Sequence, residues 1–552
     1  MRFWFRTSSR MHPARRPHPQ ASKHNSRGLR PAFERLEDRR MMAVDFDSAF
    51  AVGGAAGEAV QDLALDGAGN TCVVGVFFGT TDFDPGPGTY ELTPEPGGDL
   101  FAAKYDPAGN LLWAQRMDGS APNFGPEIAA GSDGSVYVVG SFAGSADFGA
   151  TTLTSLGDTD AFVTKIDADG NIVWANRFGG ANADWGNDVA VDGNGNVYVI
   201  AETRTASNGN PDAFVAKMDS SGSVQWSNAI GASSAAAPAK GKPAPAGWAR
   251  GFKITVDAAG DVYATGRMGG TVDFDPSSGT TALAGSAFVT KFSTGGNHVW
   301  ARTFTGTTVE PHDIVVDNSG NVYSTGIYLG SVDFDPGTAK SQKFILNAAY
   351  YGSYVSALNS SGNFLWAKST SSFDTNNYGW AEAMALDGQG GVYVAGRLVG
   401  TVDFDPGAGT FNLTSAGDAD AFVWQLNASG NFVWAGRMGG TGADEARGIG
   451  VDAAGSIFVG GFFNGTADFD PGSGTYNMTS AGGNDFFVAK LVQPVALAAT
   501  QSEPTNASLT AEPIPRTRKA AVDSAFAELS AGNSDNWIDA LDVELLMAFA
   551  TA

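Results

Sequence analysis

The sequence predicts an all-β chain, a seven-bladed β-propeller of four-stranded blades followed by a short helical C-terminal tail. Three observations carry this. A hairpin phrase is written seven times, further sub-motifs follow it in fixed order, and a tryptophan-bearing strand closes every unit but the last. Self-similarity at a fixed period marks an array of one supersecondary unit. Radial repetition of four-stranded units leaves only short, protected edges.

The hairpin phrase reads VAVDGNGNVYVIA at 189–201, ITVDAAGDVYATG at 254–266, IVVDNSGNVYSTG at 314–326 and IGVDAAGSIFVGG at 449–461, with looser copies at 63–75, 128–140 and 384–396. Counted from the residue before the turn (Asp66, Gly131, Asp192, Asp257, Asp317, Asp387, Asp452), the steps are 65, 61, 65, 60, 70 and 65 residues. Each half alternates apolar with small or polar residues, the period of a half-buried strand. Between the halves D-x-x-G-N supplies an Asp that bonds its own backbone and a Gly or Asn that tolerates positive φ.

The next element is TDFDPGPGT (81–89), VDFDPSSGT (272–280), VDFDPGTAK (332–340), VDFDPGAGT (402–410) and ADFDPGSGT (467–475). Pro-Gly suits the central positions of a type II turn, so each stretch reads as a strand ending in a tight turn. Repeat 2 keeps only ADFGATT (146–152), and repeat 3 has lost the element. A third strand follows at 160–165, 212–217, 286–291, 420–425 and 485–490, of the form DAFVxK. The fourth, G-N-x-x-W-A, places Trp113, Trp174, Trp226, Trp300, Trp366 and Trp434. The interval from Trp226 to the next turn is 31 residues against 17–21 elsewhere, which locates an Ala/Pro-rich insertion at 233–249, a surface loop by composition.

Seven hairpins meet only six tryptophan strands, because the chain leaves the array at VAKLVQP (488–494). FDSAFAVGG (46–54) precedes the first hairpin where other units have NFVWAGRMGG (431–440). This N-terminal segment is expected to pair with 485–491 and complete the last blade. Closure would remove an edge that invites aggregation.

The ordered set D-x-x-G-N-V-Y-V-x-G, D-F-D-P-G, D-A-F-V-x-K and G-N-x-V-W-A resembles the SBBP-type β-propeller repeat of bacterial secreted proteins, over about residues 46–491. The resemblance implies seven blades and an extracytoplasmic setting. It implies no reaction, since no shared catalytic motif comes with it, and fold does not give function. PAFERLEDRRMMA (31–43) resembles the LEPR-type N-terminal sorting segment of planctomycete surface and secreted proteins. The matching positions are Phe33, Glu34, Leu36, Glu37, Arg39, Met41 and Met42, with Asp38 where that segment often has Pro. It lacks the apolar core of an ordinary signal peptide.

Charge divides the chain. Residues 1–43 carry a net +8 and the remainder a net −32, within an overall −24. The basic head reads as an export segment without structure of its own. The acidic body argues for solubility and against nucleic acid as a partner. No apolar run reaches membrane-spanning length, so no transmembrane segment is expected. The propeller is assigned to 44–493, a Pro/Ser/Thr/Ala linker to 494–520 and a helical tail to 521–552. In the tail, Val522, Phe526 and Leu529 form one apolar stripe and Trp537, Leu541, Leu545 and Phe549 another. It reads either as a docking element for the cell envelope or as a helical hairpin packed on the propeller or itself. The single cysteine, Cys72, allows no intramolecular disulfide and reads as a small buried hydrophobe.

Motifs for zinc, triad or nucleotide chemistry are missing from the sequence. His298 reads as a strand-face residue, whereas His312 lies just before a hairpin. Divergent polar stretches precede each hairpin, and as starts of innermost strands they would ring one mouth of a central channel. Within them Trp185, Asp188, Trp248, His312, Asp313 and Trp380 are candidate ligand-binding residues for a polar ligand such as a glycan. The competing reading is solvated loop residues. The paired carboxylates of D-F-D (Asp82/Asp84, Asp273/Asp275, Asp333/Asp335, Asp403/Asp405, Asp468/Asp470) sit two apart, on one face of an extended strand. They could hold calcium, which takes six to eight oxygens; turn structure is the competing reading, and no other cofactor is expected.

The sequence thus reads as an exported, monomeric binding or structural module of the bacterial cell surface, with a surface protein or polysaccharide as partner. The alternative is an extracellular polymer-degrading enzyme, a lyase or hydrolase, with its site at the channel mouth.

Overall fold

The D-x-x-G-N turns form as their residues dictate. In the first, the Ala68 and Asn70 amides donate to Asp66 Oδ1 at 2.8 and 3.0 Å, Asn70 Nδ2 donates to Asp66 Oδ2 at 2.8 Å, and Gly69 takes φ +80°. The same turn is used again between the third and fourth strands, where Asp106 accepts the Ala108 and Asn110 amides. The computed structural model describes residues 44–118, 125–204, 210–231, 247–277, 279–337, 344–372 and 376–493. The export segment, the linker, the helical tail and most of the insertion at 233–249 lie outside the described residues. At the insertion's end, Trp248 and Ala249, taken with the loop on composition, open the strand Trp248–Val256. Among the described residues all regular structure is β, and no helix is long and apolar enough to cross a membrane.

Each repeat forms a four-stranded antiparallel ladder in chain order. In repeat 1, Glu58–Leu65 pairs with Thr71–Phe77, that with Asp99–Tyr105, and that with Leu111–Met117. Repeats 4 and 5 share one continuous strand, His298–Val316, which ends one ladder and begins the next. In repeat 7 the fourth strand comes from the other end of the chain. Asp45–Val52 runs antiparallel to Asn477–Val492, with Ala49 opposite Ala489 and Val52 opposite Phe486. The pairing expected between 46–54 and 485–491 is therefore present.

Apolar faces of neighbouring ladders meet in seven clusters. The cluster around Phe83, Phe101, Phe458 and Phe486 joins repeat 7 to repeat 1. The phenylalanine of D-F-D anchors five of them: Phe83, Phe274, Phe334, Phe404 and Phe469 are all buried. Each packs on the aromatic of its own third strand, as Phe83 on Phe101 at 4.9 Å and Phe469 on Phe487 at 4.8 Å between ring centroids. Fully burying such a ring contributes about 1.5–3 kcal/mol. Cys72 is buried, and burial pushes its thiol up to about 12, as a core residue requires.

The fourth-strand tryptophans of repeats 1 to 5 fasten each of those ladders to the next. Trp113 Nε1 donates to Ala168 O at 3.1 Å, Trp174 to Ser220 O at 3.2 Å, Trp300 to Ser360 O at 3.1 Å and Trp366 to Ala428 O at 3.0 Å. The indole lies over the turn glycine of the next repeat so closely that a Cβ on Gly170 would stand 2.7 Å from Trp113.

The D-F-D-P-G turns depart from expectation. Gly86, Gly337, Gly407 and Gly472 are not among the positive-φ glycines, so the type II turn does not form. The side chains build the loop instead. Asp403 Oδ1 accepts the amides of Asp405 at 3.0 Å and Phe411 at 2.8 Å, while Asp405 Oδ1 accepts the Gly407 amide at 2.7 Å. The strand ends at the first Asp of each pair. The one-face geometry expected of an extended strand therefore does not hold for the second Asp.

Candidate functional site

The innermost strands carry a β-bulge near their start. Register shifts fall between Val60 and Asp62, Gly186 and Asp188, Gly251 and Lys253, Pro311 and Asp313, Ala381 and Ala383, and Ala446 and Gly448. A bulge sets two residues against one and re-aims a side chain. The extra residues here are Gln61, Asn187, Phe252, His312, Glu382 and Arg447, which line a cavity of about 250 Å³. The residues that follow, including Asp62, Asp188, Lys253 and Asp313, line a second of about 300 Å³ to which all seven repeats contribute. The glycine ending the hairpin phrase makes the bulge possible. A Cβ on Gly75, Gly266, Gly396 or Gly461 would stand 1.9–2.0 Å from the carbonyl oxygen of Ala59, Arg250, Trp380 or Glu445.

Three of the inward carboxylates hold adjacent repeats together. Asp62 Oδ2 accepts the Ile128 amide at 3.0 Å, Asp188 Oδ2 the Ile254 amide at 2.7 Å, and Asp313 Oδ2 the Met384 amide at 2.6 Å. Each reaches the same position of the following repeat. Lys253 ties the acids together, pairing with Glu127 and lying 4.0 Å from Asp188. Burial works against its ammonium, yet Glu127, Asp188, Asp62 and Asp313 outweigh that and hold its pKa well above the usual lysine range. Burial pushes Asp188 up to about 6 and Asp313 up to about 7.

Of the six candidate residues, His312, Asp313 and Trp380 come together in one sector. His312 Nδ1 donates to Ala381 O at 2.8 Å and lies 3.2 Å from Glu382 Oε2; both partners are acceptors, which fixes the proton on Nδ1. Trp380 stands 5.7 Å from the His312 ring and carries the Arg397 guanidinium 4.8 Å from its own. Trp185, Asp188 and Trp248 belong to a second sector. There Arg204 lies 4.7 Å over Trp185, Arg250 lies 5.9 Å from Trp248, and both arginines meet the buried Glu202 at 3.3 and 3.4 Å. His298 stands at a strand start beside Phe292, as a strand-face residue.

Sequence reading missed the charged partners Lys253, Glu127, Glu202, Glu382, Arg397, Glu445 and Arg447, and the tyrosines 350, 351 and 378. The signal for Lys253, Glu382 and Arg447 was their place one or two residues after the small residue that opens the bulge. The ten D-F-D carboxylates lie at the hairpin tips rather than at this mouth, each pair bonding its own loop as Asp403 and Asp405 do. Among the described residues, no group of three or more His, Cys, Asp or Glu is arranged to hold a metal ion.

The regulatory protein FlaEY of Caulobacter vibrioides is 34% identical over 111 residues, 19% of this chain and 12% of that protein. A WD repeat-containing protein of Acanthamoeba polyphaga mimivirus is 22% identical over 442 residues, 66% of this chain and 31% of that protein. The chain thus spans less than a third of the length of either relative. Among solved structures, a chain of the mitotic checkpoint complex aligns with 87% of this chain and 98% of its own length, at 7% identity and a TM-score of 0.39. Residues 173–205, the outer strand of repeat 2 and the inner hairpin of repeat 3, match the SBBP β-propeller repeat family, and over its described residues the chain is an all-β repeat protein of propeller type.

Proposed function

We propose that the chain is a closed seven-bladed propeller, exported to the bacterial cell surface, where it serves as a binding or structural module for a surface protein or polysaccharide. Closure is supported by the pairing of Asp45–Val52 with Asn477–Val492 and by the apolar cluster that repeats 7 and 1 share. The observation that carries the binding role is the mouth itself. Trp185 with Arg204 and Trp380 with Arg397 stand on or beside the innermost strands just before the bulges that line it, while the inward carboxylates of Asp62, Asp188 and Asp313 are already bonded to the backbone of the next repeat. A rim of part-exposed aromatics over polar groups that fix orientation is the make-up of a ligand site. Export rests on the basic head and its resemblance to a sorting segment.

The same gathering of titratable groups at one mouth favours a second reading, an extracellular polymer-degrading lyase or hydrolase, with Asp313 near neutrality as its acid. One experiment separates the two. Labelled full-length chain is mixed with bacterial envelope preparations and with a panel of polysaccharides, and both retention and release of new chain ends are measured. Saturable retention without new ends supports the module. New ends that vanish in Asp313→Asn would establish the enzyme, and neither retention nor turnover would reject both.

A further inference from the structure

In a repeat protein the residues that turns and packing need recur, so a cluster of residues that do not recur points to a task outside the fold. The sector between repeats 5 and 6 holds such a cluster in Tyr350, Tyr351 and Tyr378, gathered round Trp380, whose own position recurs once as Trp185. Tyr350 and Tyr351 stand just before Gly352, at a place in the third strand where repeats 1, 2, 3, 6 and 7 carry the buried acids Asp99, Asp160, Asp212, Asp420 and Asp485. Gly352 stands in place of that carboxylate, and aromatic rings occupy the neighbourhood, a Cβ on Gly352 meeting the Tyr328 ring at 3.1 Å. Ring centroids run from Tyr350 to Tyr351 at 5.1 Å, Tyr351 to Trp380 at 5.5 Å and Trp380 to His312 at 5.7 Å, with Tyr378 6.1 Å from Tyr350 and 6.5 Å from Trp380. All four Tyr and Trp side chains are part-exposed, so the patch is neither core nor free loop.

Polar groups border the patch as a balanced chain. Arg397 meets Glu445 at 2.6 Å, Glu445 meets Arg447 at 2.6 Å, and Glu382 lies 3.8 Å from Arg447 and 3.2 Å from His312. Two arginines against two glutamates leave no net charge to attract an ion. The chain around them is strongly acidic, at −24 overall, which disfavours a polyanion. Flat amphipathic rings beside paired donors and acceptors suit a ligand with apolar faces and hydroxyl edges.

We propose that this sector binds a neutral polysaccharide, pyranose faces resting on Tyr351 and Trp380 and hydroxyls meeting Glu382 and Arg397. The proposal rests on the binding-module reading and names its ligand class and place.

The test is affinity electrophoresis of the full chain in gels containing β-glucan, arabinoxylan, galactomannan or polygalacturonate. At least one neutral polymer should retard the chain. Tyr351→Ala and Trp380→Ala should each weaken that retardation about tenfold, a loss of about 1.4 kcal/mol, while the exposed outer-strand variant Leu365→Ala should bind as the parent does. Near-ultraviolet circular dichroism confirms that each variant is folded; should Trp380→Ala not fold, Tyr351→Ala and Tyr350→Ala decide. Retardation by polygalacturonate alone, by no polymer, or equally in parent and tyrosine variants overturns the proposal. If envelope retention survives in the same variants, the module reading stands and only the neutral-glycan site falls.

Discussion

Phe404 packs against Phe422 with ring centroids 4.9 Å apart, both rings fully buried between neighbouring ladders. The same pair, D-F-D ring on third-strand ring, recurs as Phe83 with Phe101, Phe274 with Phe288, Phe334 with Tyr354 and Phe469 with Phe487, and the remnant D-F of repeat 2 keeps it as Phe148 with Phe162. Repeat 3 has lost the D-F-D element, and there Phe214 is left part-exposed, touching Phe178 at 5.9 Å. Two sub-motifs that look independent in the sequence are therefore one packing unit. Phe404→Ala is expected to destabilise by about 3–5 kcal/mol, read from the denaturant midpoint. Phe214→Ala should cost clearly less. Equal losses would mean that the paired ring adds nothing to its partner's burial.

The junction of the chain ends carries a substituted fastener. Ser48 lies opposite Lys490, where Trp113 lies opposite Lys104, so the tryptophan position is vacated. Phe50 takes over the packing. A Cβ on Gly109 would stand 3.0 Å from its ring, as one on Gly170 would stand 2.7 Å from Trp113. Tyr476 adds a bond, its hydroxyl donating to Ala49 O at 3.1 Å. A chain beginning at residue 55 should lose its single cooperative melting transition and associate in size-exclusion chromatography, because Phe486 and Val488 lose their cover. Phe50→Ala in the full chain should keep cooperativity and cost about 3 kcal/mol. A truncated chain that melts as the parent does would refute closure through this strand.

The parts of this molecule that were legible in the sequence are those that recur. The hairpins, the strand order and the identity of Asp45–Val52 as a borrowed strand all follow from alternation and from matching one repeat to another. The D-F-D-P-G turn was misread because Pro-Gly suggests a backbone-driven turn, whereas the aspartate side chains at 403 and 405 capture the amides first. At the mouth, Asp188, His312, Asp313 and Trp380 could be found because they precede a recognisable hairpin. Tyr350 and Tyr351 could not, since they replace a motif rather than extend one. Lys253 and Glu127 stand in the same pre-hairpin stretches, but their pairing, across 126 residues of chain, is not written there.

Stability should peak near pH 4. Burial pushes Asp188 up to about 6, Asp313 up to about 7 and Asp444 up to about 6, all above the usual range of an unfolded carboxylate. The folded state then holds protons that the unfolded chain has released, so stability falls as pH rises from about 4 to about 6–7 and levels off above that. His312 acts in the same sense. Burial opposes its charge, but Glu382 and Glu310 raise its pKa, giving stability present at low pH and lost as pH rises through the folded value. Turn aspartates act oppositely. Asp167 is lowered by the Asn171 amide, and Asp66 and Asp192 are lowered by their bonds despite burial, so their contribution is lost as pH falls below about 4. Tm at pH 5 should exceed Tm at pH 8, and Asp313→Asn should flatten the limb between them. A higher Tm at pH 8 would show that burial of these carboxylates does not govern the profile.

In four of the five D-F-D loops the second Asp crowds the position four residues on, which is glycine. A Cβ on Gly88, Gly279, Gly409 or Gly474 would stand 2.0 Å from the Oδ2 of Asp84, Asp275, Asp405 or Asp470. None of these glycines has positive φ, so the constraint is crowding rather than backbone strain. Gly409→Ala should therefore cost about 1–3 kcal/mol, the range for forced overpacking. Removing the carboxyl group should relieve the crowding, so Asp405→Ala combined with Gly409→Ala should lose less than the two single changes added together. The same geometry bears on calcium. Asp403 already accepts two amides on one oxygen and Asp405 accepts one. Loops closed in this way need no ion to neutralise them, so Tm should be the same in millimolar calcium and in excess chelator. A rise of several degrees with calcium, abolished by Asp403→Asn and Asp405→Asn, would instead assign these carboxylates to a cation.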